Sequence, residues 1–516
     1  MAKARQSWGT KLGIIMAVAG SAVGLGNLLR FPVQAANNGG GAFMIPYFVS
    51  LFLLGIPLMW IEWALGRYGG GFEHGTAPGI FHTMWEKNRF IKYFGVIGIF
   101  GPLVIFIYYT YIESWTLGYS VFSILGSYKG IENQQMMQSF LGAYQGLQKN
   151  SFFTSLGPAY FFFLITFIAN IIVIYHGIRG GIEKLCNIAM PLLFILGTII
   201  TVRVLTLGAP DISKPDWNVL NGMGFLWNPD LRALLQPKVW LAAAGQIFFT
   251  LSVGIGVILT YASYLKKGDD VVLSGLSAVS INEFIEVIIG GSIVIPAAFV
   301  FFGPIGIKEV ATSGAFNLGF VTMPIIFQKI MFGAFFGAIW FLLLFLAGIT
   351  SSVSLAQPVV AFLEDEFNLI REKAVVIFSI VAFICCQPAI FLLKNGVVNE
   401  LDFWGGTFCL VLFATIETIL FTWIFGIDKA WDEIHHGADL AVPRIYRFIM
   451  KYITPLLLIV ILVSWLKKEG MLVITMESVS AADKPFVLGA RVFLIMLFVL
   501  LSVLVKIAWK KRKLKR

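Results

Sequence analysis

Two apolar stretches of this 516-residue chain contain small and polar residues that weaken a helix. Residues 19–27 read AGSAVGLGN, and residues 249–256 read FTLSVGIG. Each glycine costs a helix about 0.8–1.0 kcal/mol relative to alanine. Where a helix breaks, its exposed N–H groups attract a carboxylate, and its exposed carbonyl oxygens suit a hard cation. The two stretches therefore indicate a site for a zwitterion together with an alkali ion.

Close helix packing is the alternative interpretation of these glycines. Gly20 and Gly24 are spaced as in a packing motif of membrane helices, and Gly254 fits the same explanation. Asn27, Thr250 and Ser252 add polar groups that packing does not require, which favours a binding site.

The composition indicates that these stretches cross a membrane. Hydrophobic residues make up 58% of the chain and charged residues only 13%. Apolar runs of about 20 residues, each long enough to span a bilayer, recur from end to end. We therefore expect an all-α membrane protein, in one domain (1–516), of about twelve transmembrane helices. Their predicted bounds are 11–37, 41–68, 90–124, 157–176, 187–207, 237–265, 271–302, 333–363, 373–393, 400–425, 445–466 and 486–508.

The distribution of basic residues predicts the orientation. With a cytoplasmic N-terminus, 24 of the 38 Lys and Arg residues fall on the cytoplasmic side and 13 on the external side. This bias places both termini in the cytoplasm of a multi-pass protein of the cell (inner or plasma) membrane. The basic residues are spread over separate loops, so the net charge of +10 does not indicate a nucleic-acid partner.

The two interrupted runs are the first and the sixth spans. These positions correspond if residues 11–207 and 237–425 are two five-helix repeats, and matched broken helices indicate a transporter's binding site. Residues 445–508 would then be two additional helices. The repeat is inferred from the breaks alone.

Other function classes fit less well. The chain contains no H-E-x-x-H motif, no nucleophile elbow and no phosphate loop, so an enzyme is not expected. The chain has no repeated set of residues of the kind that forms an ion-selectivity filter, so a channel is not indicated. A membrane sensor that binds an amino acid without transporting it remains an alternative.

Several longer motifs resemble the neurotransmitter:sodium symporter family, and the similarity extends over nearly the whole chain. They read NLLRFP at 27–32, NGGGAF at 38–43, GQIFFTLS at 245–252, AGITSS at 347–352 and DFW at 402–404. The resemblance implies a LeuT-type fold of two inverted five-helix repeats with helices 1 and 6 broken. It also implies alternating-access symport of Na⁺ with a small neutral hydrophobic L-amino acid, and it allows a homodimer.

The resemblance implies two Na⁺ sites as the only bound cofactors. The first Na⁺ would also bind the substrate carboxylate, which would make ion and substrate binding mutually dependent. The residues implied for the first site are Ala22, Asn27, Thr250 and Asn282; those for the second are Gly20, Val23, Ala347, Thr350 and Ser351.

The implied substrate site lies between the broken helices. Amides at Leu25 and Gly26, with the Tyr108 hydroxyl, would hold the carboxylate, and Val104 would share the helix face of Tyr108. The complete predicted set is Ser21, Ala22, Leu25, Gly26, Val104, Tyr108, Phe249, Thr250, Ser252, Ile255, Ser351 and Leu355. Bacterial leucine transporters of the family have Phe, Ile and Asn where this chain has Ile255, Leu355 and Ser21. We therefore expect an aliphatic or larger hydrophobic amino acid and do not specify leucine.

Charged residues within the spans complete the prediction. Arg30 and Asp402 would form an external gate, and Arg5 and Asp365 a cytoplasmic gate, although the second pair also fits ordinary interfacial charge. Glu286 follows Asn282 by one turn, where chloride-dependent relatives bind Cl⁻. A fixed carboxylate there would replace the anion, so transport is expected to be independent of Cl⁻.

Overall fold

The computed structural model describes the backbone of residues 6–515 and the side chains of all of these except 308, 310, 468, 469 and 512–515. Among them, ten continuous helices are long and apolar enough to cross a membrane, and one further pair is bent. The sixth predicted span forms two shorter helices. Ten continuous helices and the bent pair thus account for eleven of the about twelve predicted spans, and the described residues form an all-helical membrane protein.

We number the spans in chain order. The helices are α1a (Lys11–Ala22), α1b (Gly26–Asn37), α2 (Gly41–Gly70), α3 (Ile91–Leu125), α4 (Gly157–Tyr175), α5 (Ile178–Leu205), α6a (Pro237–Leu251), α6b (Val257–Ala262), α7 (Val271–Ile307), α8 (Gly333–Phe367), α9 (Arg371–Phe391), α10 (Val397–Ile424), α11 (Ile445–Trp465) and α12 (Lys484–Lys511). Shorter helices lie in the connections, at Ala77–Met84, Gln134–Tyr144, Val219–Trp227, Ala315–Gln328 and Ile427–His435.

The buried core lies around α1, α3, α6, α7 and α8. The apolar windows of α3 and α7 are each 83% buried, whereas those of α11 and α12 are 28% and 33% buried. When a helix is apolar on every side but is buried on only one side, its other side faces lipid. The central helices are thus shielded from lipid, which allows irregular backbone at their middle.

Helix 1 is broken because side chains take the hydrogen bonds of its next turn. α1a and α1b are bent by 48°. The Gly24 N–H, which would bond the Gly20 carbonyl in a continuous helix, donates to Asn27 Oδ1 at 2.8 Å. The Leu25 N–H donates to the Tyr109 hydroxyl at 3.3 Å instead of the Ser21 carbonyl. The Gly20 and Ser21 carbonyls are thereby released from the helix.

Helix 6 is broken by backbone conformations that favour glycine. Ser252, Gly254 and Gly256 have φ of 53°, 75° and 90°. A Cβ at Gly256 would stand 2.5 Å from the Gly98 carbonyl oxygen, so α3 leaves no room for a side chain there. The freed Gly254 N–H donates to the buried Glu62 carboxylate at 2.5 Å. Side chains of α1b, α2 and α3 therefore accept hydrogen bonds from the backbone N–H groups that the two breaks leave free.

Candidate functional site

A cavity of about 60 Å³ lies where the two broken helices meet α3, α8 and α10. The described residues that line it include no charged side chain. They are Ser21, Ala22, Gly24, Leu25, Gly26, Asn27, Ile105, Tyr108, Tyr109, Phe249, Ser252, Ile255, Ser351, Ser354, Leu355, Gly406 and Leu410. Such a cavity, with free backbone groups at one side and aliphatic side chains at the other, suits a small zwitterion with an apolar side chain.

The polar side of the cavity contains the ends of the broken helices. The Ser252 hydroxyl donates to the Ser21 carbonyl at 2.9 Å and so links α6 to α1. Ser21 Oγ and Ser354 Oγ lie 2.7 Å apart, which links α1 to α8. These contacts hold three helices together around the space between them.

The predicted face of α3 is rotated by one residue. The Tyr108 hydroxyl donates to Asp402 Oδ1 at 2.5 Å, whereas the neighbouring Tyr109 hydroxyl accepts the Leu25 N–H. Ile105, four residues before Tyr109, lines the cavity, and Val104 does not. Val104, predicted to line the pocket, is therefore not among the residues around the cavity, whereas Tyr108 and Tyr109 both are. The i, i+4 spacing fits both the pair Val104 and Tyr108 and the adjacent pair Ile105 and Tyr109. Only the packing of α3 selects between them.

Other residues were missed by sequence reasoning. Ser354, Gly406 and Leu410 line the cavity without belonging to a predicted motif. Thr250 is not among the lining residues, since its hydroxyl faces Glu286 behind the cavity. The four-residue spacing from Gly406 to Leu410 is a signal that would have placed both on one helix face.

Ser351 lies at a point where backbone oxygens converge. Its hydroxyl oxygen is 3.0–3.4 Å from four carbonyl oxygens, and a hydroxyl has only one hydrogen to donate. Thr350 adds a second hydroxyl, 3.2 Å from the Ala347 oxygen. The four carbonyls belong to Gly20, Ser21, Val23 and Ala347. A surplus of uncharged oxygen acceptors around one point is suited to a weakly held monovalent cation.

A second group of oxygens surrounds the Asn27 carboxamide. The amide Nδ2 lies 2.8 Å from Thr250 Oγ1, 2.8 Å from Asn282 Oδ1 and 2.9 Å from Glu286 Oε2. An NH₂ group has two hydrogens for these three oxygens. The Thr250, Asn282 and Glu286 oxygens are therefore the acceptors that a cation at this point would share. Asn27, Asn282 and Glu286 are each no more than 1% exposed.

Glu286 supplies the carboxyl group of this cluster. Gln246 Nε2 donates to its other oxygen at 2.8 Å, and the Thr250 hydroxyl donates to Oε2. The Tyr47 hydroxyl donates to the neighbouring Glu283 at 2.8 Å. A buried carboxylate requires positive charge or several donors nearby, and Glu286 has the donors.

An aromatic and polar layer covers one side of the cavity. The Arg30 guanidinium carbon lies 4.4 Å from the centre of the Phe249 ring, which suits a cation–π contact. Among the described residues, Arg30 and Asp402 form no direct ion pair, and Asp402 accepts the Tyr108 hydroxyl instead. The two residues thus make separate contacts, and their role as a gate stays a prediction.

A second set of contacts lies near the N-terminus. Trp8 Nε1 donates to the Tyr261 carbonyl at 2.9 Å, and Glu183 accepts the Gly9 N–H at 2.7 Å. Asp365 lies half-buried near the end of α8. Arg5, its predicted partner, lies outside the described residues.

Comparison with known proteins identifies the family. The model of the sodium:neurotransmitter symporter family matches residues 5–138 and 134–512. The chain is 31% identical over 469 residues to an uncharacterised sodium-dependent transporter of Methanocaldococcus jannaschii, covering 88% of this chain and 89% of the relative. It is 25% identical to sodium-dependent nutrient amino acid transporter 1 of Drosophila erecta, over 89% and 77% of the two chains.

A solved structure has the same fold. The crystal structure of MhsT in complex with L-phenylalanine matches with a TM-score of 0.73 and 28% sequence identity, covering 89% of this chain and all of MhsT. The chain therefore belongs to the sodium:neurotransmitter symporter family, as a multi-pass sodium-dependent transporter of the LeuT-type fold.

Proposed function

We propose that this protein is a Na⁺-coupled symporter for neutral hydrophobic L-amino acids that works by alternating access, independently of Cl⁻. The observation that carries the proposal is the surplus of oxygen acceptors at two points beside one uncharged cavity. A site for one neutral zwitterion flanked by two sites for a monovalent cation is what such a symporter requires.

The second Na⁺ would bind at Ser351. Its ligands would be the Gly20, Val23 and Ala347 carbonyls with the Thr350 and Ser351 hydroxyls, as the sequence predicts, and the Ser21 carbonyl lies at the same point. These oxygens come from α1 and α8. An ion there would therefore stabilise the contact between two helices that must move apart during transport, and its release would permit the movement.

The first Na⁺ would bind at Asn27, together with Thr250, Asn282 and the Ala22 carbonyl. The substrate carboxylate would supply a further ligand from the cavity side, where Leu25 and Gly26 lie. Because each partner contributes to the other's site, Na⁺ would raise substrate affinity and substrate would raise Na⁺ affinity by the same factor.

The cavity supports a hydrophobic side chain. Ile105, Ile255, Leu355 and Leu410 are aliphatic, and an acidic or basic substrate would bury an unpaired charge there. MhsT, a relative of the same fold, was crystallised with L-phenylalanine. We therefore include aromatic amino acids in the proposed substrate range. The Tyr109 hydroxyl would assist the Leu25 and Gly26 amides in holding the carboxylate.

Glu286 would make chloride unnecessary. Its carboxylate lies among the Gln246 and Asn27 amides and the Thr250 hydroxyl, which are donors that an anion would use. A fixed negative charge beside the first Na⁺ would offset the charge of that ion at all times.

Further parts of the proposal concern topology and assembly. Both termini would be cytoplasmic, residues 11–207 and 237–425 would be inverted repeats, and two copies would be able to form a homodimer through lipid-facing helices. Labelling of cysteines introduced into the loops, with a membrane-impermeant reagent in intact cells, would test the orientation.

The test is uptake into proteoliposomes. Labelled alanine, leucine, phenylalanine and tryptophan are presented with an inward Na⁺ gradient, with chloride or gluconate as the anion. The proposal expects Na⁺ to stimulate uptake of at least one of them equally in both anions. Absence of stimulation would refute symport, and a large loss in gluconate would refute Cl⁻ independence.

An amino-acid sensor without transport is the alternative. It would bind the same ligands in a Na⁺-dependent way but would not accumulate them inside the vesicles. Binding and uptake measured on the same preparation separate the two functions.

A further inference from the structure

An ion pair joins the outer ends of α10 and α12. Arg491 Nε donates to Glu400 Oε2 at 2.8 Å, and Arg491 Nη2 donates to Glu400 Oε1 at 3.2 Å. The two side chains are only 14% and 11% exposed. Trp404 Nε1 adds a third donor to Glu400 at 2.9 Å. The pair is bidentate and partly buried, the geometry in which such pairs are strongest and most directional.

The same arginine also binds the connection between α11 and α12. Arg491 Nη1 donates to the Ile474 carbonyl at 3.0 Å, and Nη2 donates to the Val473 carbonyl at 2.7 Å. Four of its five N–H hydrogens are therefore engaged. Arg491 ties α12, α10 and the outer connection to one point.

The apolar packing beside this junction is incomplete. A partly open cavity of about 250 Å³ lies between α9, α10 and α12, and its lining includes Leu401 and Ala490. These residues are the sequence neighbours of Glu400 and Arg491. The polar contacts of Arg491 therefore add a directional constraint on α10 next to a gap in the apolar contacts.

The outer end of α10 carries Asp402. One residue, Leu401, separates Glu400 from Asp402, where a seven-residue π-helical segment, Asp402–Phe408, begins. Asp402 accepts the Tyr108 hydroxyl over the cavity at 2.5 Å. A Cβ at Gly406 would stand 2.9 Å from the Tyr108 hydroxyl and 3.1 Å from Asp402 Oδ1, so α10 lies as close to α3 as its backbone allows. A small rotation of α10 would break the contact between Tyr108 and Asp402.

We propose that Arg491 is a positioning residue for the outer closure of the transporter: by holding Glu400, it fixes the rotation of α10 at which Asp402 meets Tyr108. This inference rests on the proposed function, because it assumes that substrate is held beneath that contact. Arg491 contacts neither substrate nor ion, and it acts on the rate at which bound substrate escapes to the outside.

The experiment measures the dissociation rate of labelled L-phenylalanine, with labelled L-leucine as the second probe. Purified full-length protein is loaded in Na⁺ and then diluted into Na⁺ with excess unlabelled amino acid. The variants are Arg491→Gln, Glu400→Gln and the double variant. Arg447→Gln is the matched control, because it removes an arginine from the exposed pair with Asp428.

We expect Arg491→Gln and Glu400→Gln each to accelerate dissociation about fivefold or more, a typical coupling between distant sites. The double variant should be no faster than either single variant, because both remove the same contact. Arg491→Lys, which retains the charge but not the bidentate geometry, should lie between wild type and Arg491→Gln. Arg447→Gln should match wild type.

A purely structural role of Arg491 gives a different result. It would lower the melting temperature and the fraction of active protein while the dissociation rate of the active fraction stayed at the wild-type value, and this would overturn the inference. If Arg491→Gln does not fold, the dissociation rates of the labelled amino acid from Glu400→Gln and Arg491→Lys test the inference instead. If the wild-type protein binds neither probe in Na⁺, the proposed function and this inference are overturned together. If the wild-type protein binds normally and the variants have its dissociation rate, the inference alone is overturned.

Discussion

Replacing Glu286 by serine is the most direct test of the charge arrangement beside the predicted first Na⁺ site. The substitution removes the buried carboxylate and leaves a space bordered by Gln246 Nε2, Asn27 Nδ2 and the Thr250 hydroxyl. The Gln246 amide and the Thr250 hydroxyl would lose their acceptor, whereas the Asn27 amide keeps the Thr250 and Asn282 oxygens, and the Na⁺ would lose the negative charge that offsets it. Chloride, which accepts several hydrogen bonds, would replace both.

The expected magnitude follows from those contacts. A buried donor left without a partner costs about 1–3 kcal/mol. Two donors, the Gln246 amide and the Thr250 hydroxyl, lose their partner here, and water will satisfy them in part. We therefore expect a net loss of about 2–4 kcal/mol in Na⁺-dependent substrate binding without chloride, which is about 30- to 1,000-fold in affinity. Chloride should restore most of the loss.

The assay is equilibrium binding of labelled substrate in sodium chloride and in sodium gluconate. Glu286→Gln is the first control, since its amide removes the charge but leaves no room for chloride, so chloride should not rescue it. Glu283→Ser is the second control, because Glu283 binds Tyr47 and receives only a 3.3 Å contact from Asn282. Equal binding by Glu286→Ser in the two salts would refute the reasoning.

Three further substitutions test other parts of the site. Ser351→Ala should raise the Na⁺ concentration for half-maximal substrate binding about tenfold, because one oxygen ligand is lost; an unchanged value would contradict a Na⁺ site there. Tyr109→Phe should weaken substrate binding by about 1–2 kcal/mol, whereas Tyr111→Phe should not, since the Tyr111 hydroxyl has no hydrogen-bond partner among the described residues. Equal affinities of these two variants would contradict the position of the α3 face. Gly256→Ala should lower the free energy of unfolding by about 1–3 kcal/mol through its positive φ, whereas Gly245→Ala, with open space around it, should not; thermal denaturation measures both.

Much of the fold was predictable because a membrane imposes a simple pattern. An apolar run of sufficient length must cross as a helix, so the apolar runs located the ten continuous spans and the bent first span. The two interrupted spans were recognisable for the same reason, since glycines and polar groups at membrane depth require a cavity or a ligand. The exact helix bounds differed by several residues, as with α5, which begins at Ile178 and not at residue 187.

The rotation of each helix was not predictable from such patterns. α3 is buried on nearly all sides, so its apolar residues do not indicate which of Tyr108 and Tyr109 faces the broken helix. Local spacing fits both residues, and the close packing of Gly98 against Gly256 on α6 is a long-range contact that local sequence does not specify. Ile105 and not Val104 therefore lines the cavity, a choice that the sequence pattern did not specify.

The two glycine-containing stretches show most clearly what the sequence determined and what depended on the tertiary structure. The sequence by itself determined that residues 19–27 and 249–256 interrupt two membrane helices, because glycine and polar side chains are costly in a lipid-spanning helix. Only the tertiary structure decided which oxygens those interruptions bring together. Four carbonyls meet at Ser351, three oxygens meet at the Asn27 amide, and Arg491 meets Glu400, because contacts between distant segments depend on the packing of whole helices.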